Sequence, residues 1–140
     1  MAITLALHSI PESVLPAPGT PLTRENFPVT KTTYCSSYIQ EVQVQPLGER
    51  IREAIRGESL AANPQFRLHL PRFHNPTAVK ILHQQLQNGW AETRRTHPPL
   101  PPDDWWTEQI DAILAIFAWA AEHGEAVVIT QAPLRQRNAP

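Results

Sequence analysis

Proline placement limits the regular structure that this chain can form. The sequence has 15 prolines among 140 residues, and most of them fall in two stretches. Because proline lacks a backbone N–H and fixes φ, it is disfavoured in helix interiors and in central strands. Residues 11–30 contain five of the prolines and are therefore predicted to form an extended arm. The second stretch, residues 98–102, is predicted to separate the last helix from the strand before it.

Alternating apolar and polar residues predict the strands of a sheet. In the first segment, Ile3, Leu5 and Leu7 alternate with polar or small residues, and we expect residues 1–10 to form an edge strand. The same pattern predicts further strands at residues 38–45, 66–70, 90–96 and 127–130.

Apolar residues at helical spacing predict three helices between these strands. The first covers residues 47–56. The second begins at Asn75-Pro76, an N-cap residue followed by proline, and is predicted to end before Gly89. The third begins after a cap at Asp103 or Asp104 and ends at His123, with Gly124 as its stop.

This succession of strands and helices predicts an α/β or α+β fold in a single small domain. We expect a mixed sheet of about four to five strands, with three helices packed on it and a proline-rich N-terminal arm. The globular part is predicted to span residues 31–132, and residues 133–140 are predicted to form a flexible tail.

Charge is unevenly distributed along the chain. Between residues 64 and 97 there are five basic residues and one acidic residue, whereas residues 98–126 contain six acidic residues and no Lys or Arg. Such a basic block predicts a surface for phosphate or nucleic acid. The candidate residues are Arg67, His69, Arg72, His74, Lys80, Arg94 and Arg95. The net charge of −1 counts against nucleic acid, because the acidic block could neutralise the basic strands within the fold.

The most specific part of this candidate site is the predicted helix start at Asn75. Free N–H groups at a helix N-terminus attract anions, and Arg72, His74 and Lys80 would add positive charge beside them. The alternative is that Asn75 simply caps the helix while Arg72 and His74 face water.

The third helix contains ten consecutive apolar residues, at positions 112–121. A single amphipathic stripe would need only about half of them. The helix is therefore predicted either to form the centre of the core or to pack against a partner. For the second alternative, the interface residues are Trp105, Trp106, Ile113, Phe117 and Trp119.

Few residues have the spacing that catalysis or metal binding requires. Cys35 is the single cysteine, and a free cysteine is ordinarily a small buried hydrophobic residue. No His pair has zinc-site spacing, and no phosphate-binding or dinucleotide-binding glycine motif is present. We therefore predict no cofactor and no metal site.

Three functions remain open from the sequence. The first is a non-catalytic protein-binding, assembly or adaptor protein of a phage or mobile element, acting through the arm and the apolar helix. The second is binding of phosphate or nucleic acid through the basic block, and the third is a small hydrolase or nuclease. We expect a protein partner or a homo-oligomer, and no membrane. The expected location is cytoplasmic, or the virion if the protein is viral, since the chain start lacks signal-peptide features.

Overall fold

Five strands form one sheet in this protein, for which a computed structural model describes residues 3–14, 29–59, 72–96 and 105–131. The strand order across the sheet is β2-β1-β5-β4-β3, and each described pair of neighbours is antiparallel rather than mixed. The strands are β1 (Thr4–Ile10), β2 (Lys31–Ser36), β3 (Glu58–Ser59), β4 (Arg72–His74) and β5 (Ala126–Gln131).

Strand β1 lies inside the sheet, not at its edge as the sequence predicts. Leu7 is opposite Thr33 of β2 on one side and opposite Ile129 of β5 on the other. The apolar residues of β1 explain this position, because Ala6, Leu7 and Ile10 are all buried. The edge next to β1 is occupied by β2 instead.

Three helices cover one face of the sheet and form the main core with it. They are α1 (Leu47–Arg56), α2 (Pro76–Thr96) and α3 (Trp105–His123). Side chains from all three helices join Leu7, Cys35, Val127 and Ile129 in one buried cluster. In each of the two strand pairs involved, cross-strand register places these sheet residues on the same face.

The end of α3 is set by Gly124, as predicted. This glycine has a φ of 66°, in the left-handed region that favours glycine. The N–H of Glu125 donates to Ala120 O at 2.8 Å, and the N–H of Gly124 donates to Ala121 O at 3.4 Å. This pair of bonds is the Schellman arrangement, and it turns the chain directly into β5.

Helix α2 continues through Gly89, so the predicted end of this helix and the predicted strand at residues 90–96 are both wrong. A Cβ at Gly89 would lie 3.4 Å from the Cα of Leu47, which shows that the glycine permits close packing of α1 on α2. Beyond it, Trp90 and Thr93 are buried on the core side of the helix. The glycine serves helix packing here and is not a stop signal.

The predicted strand at residues 38–45 is also wrong, because Ser37–Glu41 form a 3-10 helix. Ser36 Oγ accepts a hydrogen bond from the Tyr38 N–H at 3.2 Å and so caps this helix. The Arg52 guanidinium donates to the carbonyls of Gln40 and Val42 at 2.9 and 3.0 Å, which binds the segment to α1. The strand in this region is β2, which begins earlier, at Lys31.

The architecture is that of one small α+β domain, which confirms the predicted fold class. Several predicted features lie outside the described residues: most of the arm at 11–30, the strand at 66–70 and the tail at 133–140. Within the arm, Glu12–Val14 form a 3-10 helix.

The buried face of α3 predicts a large difference between two isoleucine substitutions. Ile113→Ala should lower the free energy of unfolding by about 2–5 kcal/mol, because Ile113 is fully buried and its removal leaves a cavity. Ile81→Ala is the matched control, since Ile81 is 55% exposed on α2, and should change it by less than about 0.5 kcal/mol. Urea denaturation measures both values, and equal losses would contradict this assignment of the core.

Candidate functional site

The predicted basic patch is distributed over separate parts of the molecule. Arg67 and His69 lie outside the described residues. Lys80 lies in the N-terminal part of α2, whereas Arg94 and Arg95 lie in its last turn. Arg94 lies fourteen positions after Lys80 in the helix, which corresponds to about 21 Å along the axis. Because residues 90–96 are helical, Arg94 and Arg95 are not on a sheet face as the sequence predicts.

His74 is a core residue and does not face solvent. It is buried on β4, where its Nε2 lies 2.8 Å from Ala54 O and its ring makes an edge contact with Phe117 at 5.7 Å. Burial lowers the pKa of this histidine, although the Ala54 carbonyl and nearby carboxylates oppose the effect. A neutral, enclosed imidazole does not supply the positive charge that the predicted anion site requires.

At the start of α2, the predicted cap at Asn75 is confirmed, but the expectation that His74 and Arg72 face water is wrong for His74. Asn75 Oδ1 accepts a hydrogen bond from the Ala78 N–H at 2.8 Å, so the side chain caps the helix. Arg72 lies half-buried on β4, and Lys80 is exposed. The cap occupies one of the N–H groups that an anion would use.

The two arginines at the end of α2 have local partners. The Arg94 guanidinium lies over the Trp90 ring, 5.5 Å from its centroid. Arg95 Nη2 is 2.6 Å from both carboxylate oxygens of Glu92, and this contact lowers the pKa of Glu92. Both interactions are made along one helix and hold these cations close to α2.

The predicted interface residues divide into core and surface groups. Ile113 and Phe117 are fully buried in this domain, so the central-core alternative holds for them. Trp106 is half-buried and packs against the core cluster. Trp105 is 38% exposed and meets the Trp106 ring edge-on at 4.7 Å. Trp119 belongs to a separate polar group at the other end of α3.

This polar group, which we call the Glu125 corner, contains Ser9, Thr30, Trp119 and Glu125. Glu125 Oε1 accepts hydrogen bonds from Ser9 Oγ at 2.6 Å and from Thr30 Oγ1 at 2.5 Å. The Trp119 indole N–H donates to Thr30 Oγ1 at 3.0 Å. Ser9 and Glu125 are both buried, so the group ties together β1, β5, α3 and the residue before β2.

The outer side of Trp119 in the Glu125 corner carries two further side chains. Lys31 Nζ lies 5.2 Å from the Trp119 ring centroid, and the His123 ring stacks on Trp119 at 4.1 Å. Sequence reasoning identified Trp119 but not the corner itself. Ser9 resembles any polar residue of an alternating strand, and its approach to Glu125 depends on the pairing of β1 with β5.

Cys35 is placed where it cannot serve as a nucleophile. It is buried in the core cluster on β2, and burial raises the pKa of its thiol to about 12. Since the thiolate is the reactive form, such a cysteine acts as a small core residue. This is the interpretation that the sequence favoured.

Three exposed aromatic residues lie close in sequence to a hydrogen bond between β2 and α3. Gln109 Oε1 accepts the Ser36 N–H at 2.5 Å, which fixes the end of β2 against α3. Close to this bond in the chain are Tyr34, Tyr38 and Trp105, which are 58%, 52% and 38% exposed. We call these three residues the aromatic end. Large aromatic side chains are enriched in protein–protein interfaces, and Trp and Tyr often dominate their binding energy.

Comparisons with protein-family models, curated proteins and solved structures found no match to this chain. In the described ranges, no three His, Cys, Asp or Glu side chains lie close enough to share a metal ion. No helix in those ranges has both the length and the apolar character needed to cross a membrane.

Burial of His74 predicts a loss of stability on acidification. Its pKa lies below the ordinary 6.5 in the folded state, so the unfolded chain takes up a proton that the folded protein does not. The stability contributed by the neutral ring is present above pH 6.5 and declines as the pH falls from there towards the folded-state pKa. His74→Gln should make the free energy of unfolding less dependent on pH between 7 and 5. Denaturant unfolding at several pH values measures this, and equal slopes in both proteins would contradict the assignment.

Proposed function

We propose that this protein acts by binding another protein chain, as an assembly or adaptor domain. The observation that carries the proposal is the aromatic end, where Tyr34, Tyr38 and Trp105 remain exposed on a domain that has an apolar core of its own. Burying such rings in a partner gives about 1.5–3 kcal/mol each. The predicted proline-rich arm stays part of the proposal as a separate contact, because Val29 and Thr30 lie at the beginning of β2, next to Trp119 and not next to Trp105.

The structure changes which residues carry this proposal. Ile113 and Phe117 are used by the core, so the partner is not bound by the apolar side of α3. Trp105 stays in the proposed surface, and Tyr34 and Tyr38 join it. A cytoplasmic location and an origin in a phage or mobile element stay part of the proposal.

The alternative of phosphate or nucleic-acid binding has weaker support. Lys80 and Arg94 are separated by about 21 Å along α2, and His74 is buried. Electrostatic binding to nucleic acid needs several cations that meet one backbone. Within the described part of the basic block, Lys80 and the pair Arg94 and Arg95 lie in opposite parts of α2, so they do not form one such group.

Substitution in the aromatic end should remove partner binding. The tagged protein, purified from its source cells, is compared with Tyr38→Ser/Trp105→Ser and with the control Ile81→Ser, which changes an exposed apolar residue on α2. In the double variant, we expect the yield of the co-purifying chain, whether another protein or an untagged copy, to fall tenfold or more. A loss of this size is consistent with the removal of two interface aromatic residues. The control should retain it. Mass spectrometry quantifies the loss.

Two results would contradict the proposed function. One is that the unaltered protein, the double variant and the control variant all retain the same co-purifying chains at the same yield. The other is salt-sensitive oligonucleotide binding that the Tyr38→Ser/Trp105→Ser variant retains and that disappears with Arg94→Glu/Arg95→Glu. Circular dichroism and a urea midpoint for each variant show that the comparison is made between folded proteins.

A further inference from the structure

Among the residues that the structure describes, none pairs with the outer edge of strand β2. The strand pairs with β1 on one side and is the last strand of the sheet on the other. The Ser37 N–H donates to Ile3 O at 2.8 Å, towards β1, whereas the Ser36 N–H donates to Gln109 in the opposite direction. Because these directions alternate along an antiparallel strand, the N–H and C=O groups of Thr32 and Tyr34 point away from β1. Neither residue's backbone has a hydrogen-bond partner on that side within the described part of the chain.

This edge lacks the features that usually protect an edge strand. Soluble proteins block such edges with proline, with charged side chains or with a bulge. Between Thr32 and Ser36 there is no proline and no charged residue. The one charge of β2, on Lys31, lies over the Trp119 ring. An open edge of this composition favours pairing with another strand.

Exposed apolar side chains are concentrated beside the same edge. Of the five large hydrophobic residues that are exposed in the described ranges, Val29, Tyr34 and Tyr38 lie on β2 or within two residues of its ends. Tyr34 is on the sheet face opposite the helices, because its neighbours Thr33 and Cys35 face α3 and the core. Its ring is therefore free to cover the strand that pairs with β2.

We propose that the partner is a second copy of this chain, which pairs its own β2 antiparallel to this one about a two-fold axis at Thr33. This inference rests on the proposed function and names the partner. In this register, Thr32 of each copy lies opposite Tyr34 of the other, so that the outward groups of both residues form four hydrogen bonds. The ten strands then form one continuous sheet.

The register follows from which backbone groups are free. A shift that places Tyr34 opposite itself would require the Ser36 N–H, which already binds Gln109 at 2.5 Å. A shift in the other direction would require Thr30, whose N–H already donates to Ser9 O at 2.9 Å. Of these three registers, pairing about Thr33 is the one that uses groups without another partner in the described ranges.

The side chains are also compatible with this register. Lys31 of one copy lies opposite Cys35 of the other, so no two like charges are opposed along the paired strands. Each Tyr34 ring lies beside Thr32 of the other copy, an aromatic and β-branched pair of the kind that stabilises sheets. Continuing the register brings the exposed Val29 of one copy towards Ser37 and Tyr38 of the other.

A charge-reversal pair tests the register. In Thr32→Lys/Tyr34→Lys, like charges are opposed at both cross-strand positions, whereas in Thr32→Lys/Tyr34→Glu, opposite charges meet there. Both variants lose the contact between Thr32 Oγ1 and His8 Nδ1, so this loss affects the two dissociation constants equally. Sedimentation equilibrium over a concentration series measures the dissociation constant of each variant and of the unaltered protein.

We expect the unaltered protein to dimerise and the Lys/Lys variant to bind at least about tenfold more weakly than the Lys/Glu variant. If the two variants have the same dissociation constant, the proposal that β2 pairs through this edge is wrong. If the unaltered protein stays monomeric, the proposal that the partner is a second copy is wrong. In either case, loss of a co-purifying protein in Tyr38→Ser/Trp105→Ser would leave the proposed function standing. If either double variant fails to fold, the variant Tyr34→Pro is measured in its place. This substitution removes an N–H that β1 does not use, so we expect the variant to be monomeric. A dimer of unchanged affinity would overturn the proposal.

Discussion

Packing of α3 across β1, β2 and β5 is the interaction on which the rest of this structure depends. The helix contacts all three strands, and its large buried side chains Ile110, Ile113, Ile116 and Phe117 each contribute about 1.5–3 kcal/mol when buried. Once α3 is fixed there, Gln109 reaches the end of β2 and Trp119 reaches its beginning. The outward groups of Thr32 and Tyr34 lie between these two contacts. The open edge that we propose as the interface is therefore defined at both ends by α3.

The Glu125 corner fixes the beginning of β2 in the same way. Ser9, Thr30 and Trp119 come from distant parts of the chain and meet at or next to one buried carboxylate, whose hydrogen bonds offset the cost of removing it from water. The Schellman turn at Gly124 places Glu125 there directly after α3. A shift of β2 along β1 would break these bonds, so the corner helps to set the register on which the free edge depends.

Local sequence patterns predicted some elements well and failed where tertiary contacts decide the structure. The strand at β1, the helices α1 and α3 and the strand at β5 follow from the periodicity of their own residues. The local pattern predicts a helix end at Gly89, but this residue lies inside α2 at its contact with Leu47 of α1, which no local pattern reveals. The segment after Ser36 forms a 3-10 helix that Arg52, from another element, binds to α1, and this contact is not visible in the local pattern.

The candidate site was less predictable than the fold for a similar reason. The sequence predicts Trp105 as an interface residue because large aromatic side chains are enriched at interfaces, and this side chain is 38% exposed. The edge position of β2 depends on which strands pair, and the sequence predicted β1 at the edge instead. His74 appeared basic and accessible beside a helix start, but pairing of β4 with β5 places it in the core.

Amide hydrogen exchange on β2, resolved by residue and compared at two protein concentrations, tests the central claim most directly. The Thr33 and Cys35 amides point towards β1 and should exchange slowly at both concentrations. The account predicts that the Thr32 and Tyr34 amides exchange rapidly in dilute solution and become protected as the concentration rises. Equal exchange rates for these two amides at both concentrations would contradict it.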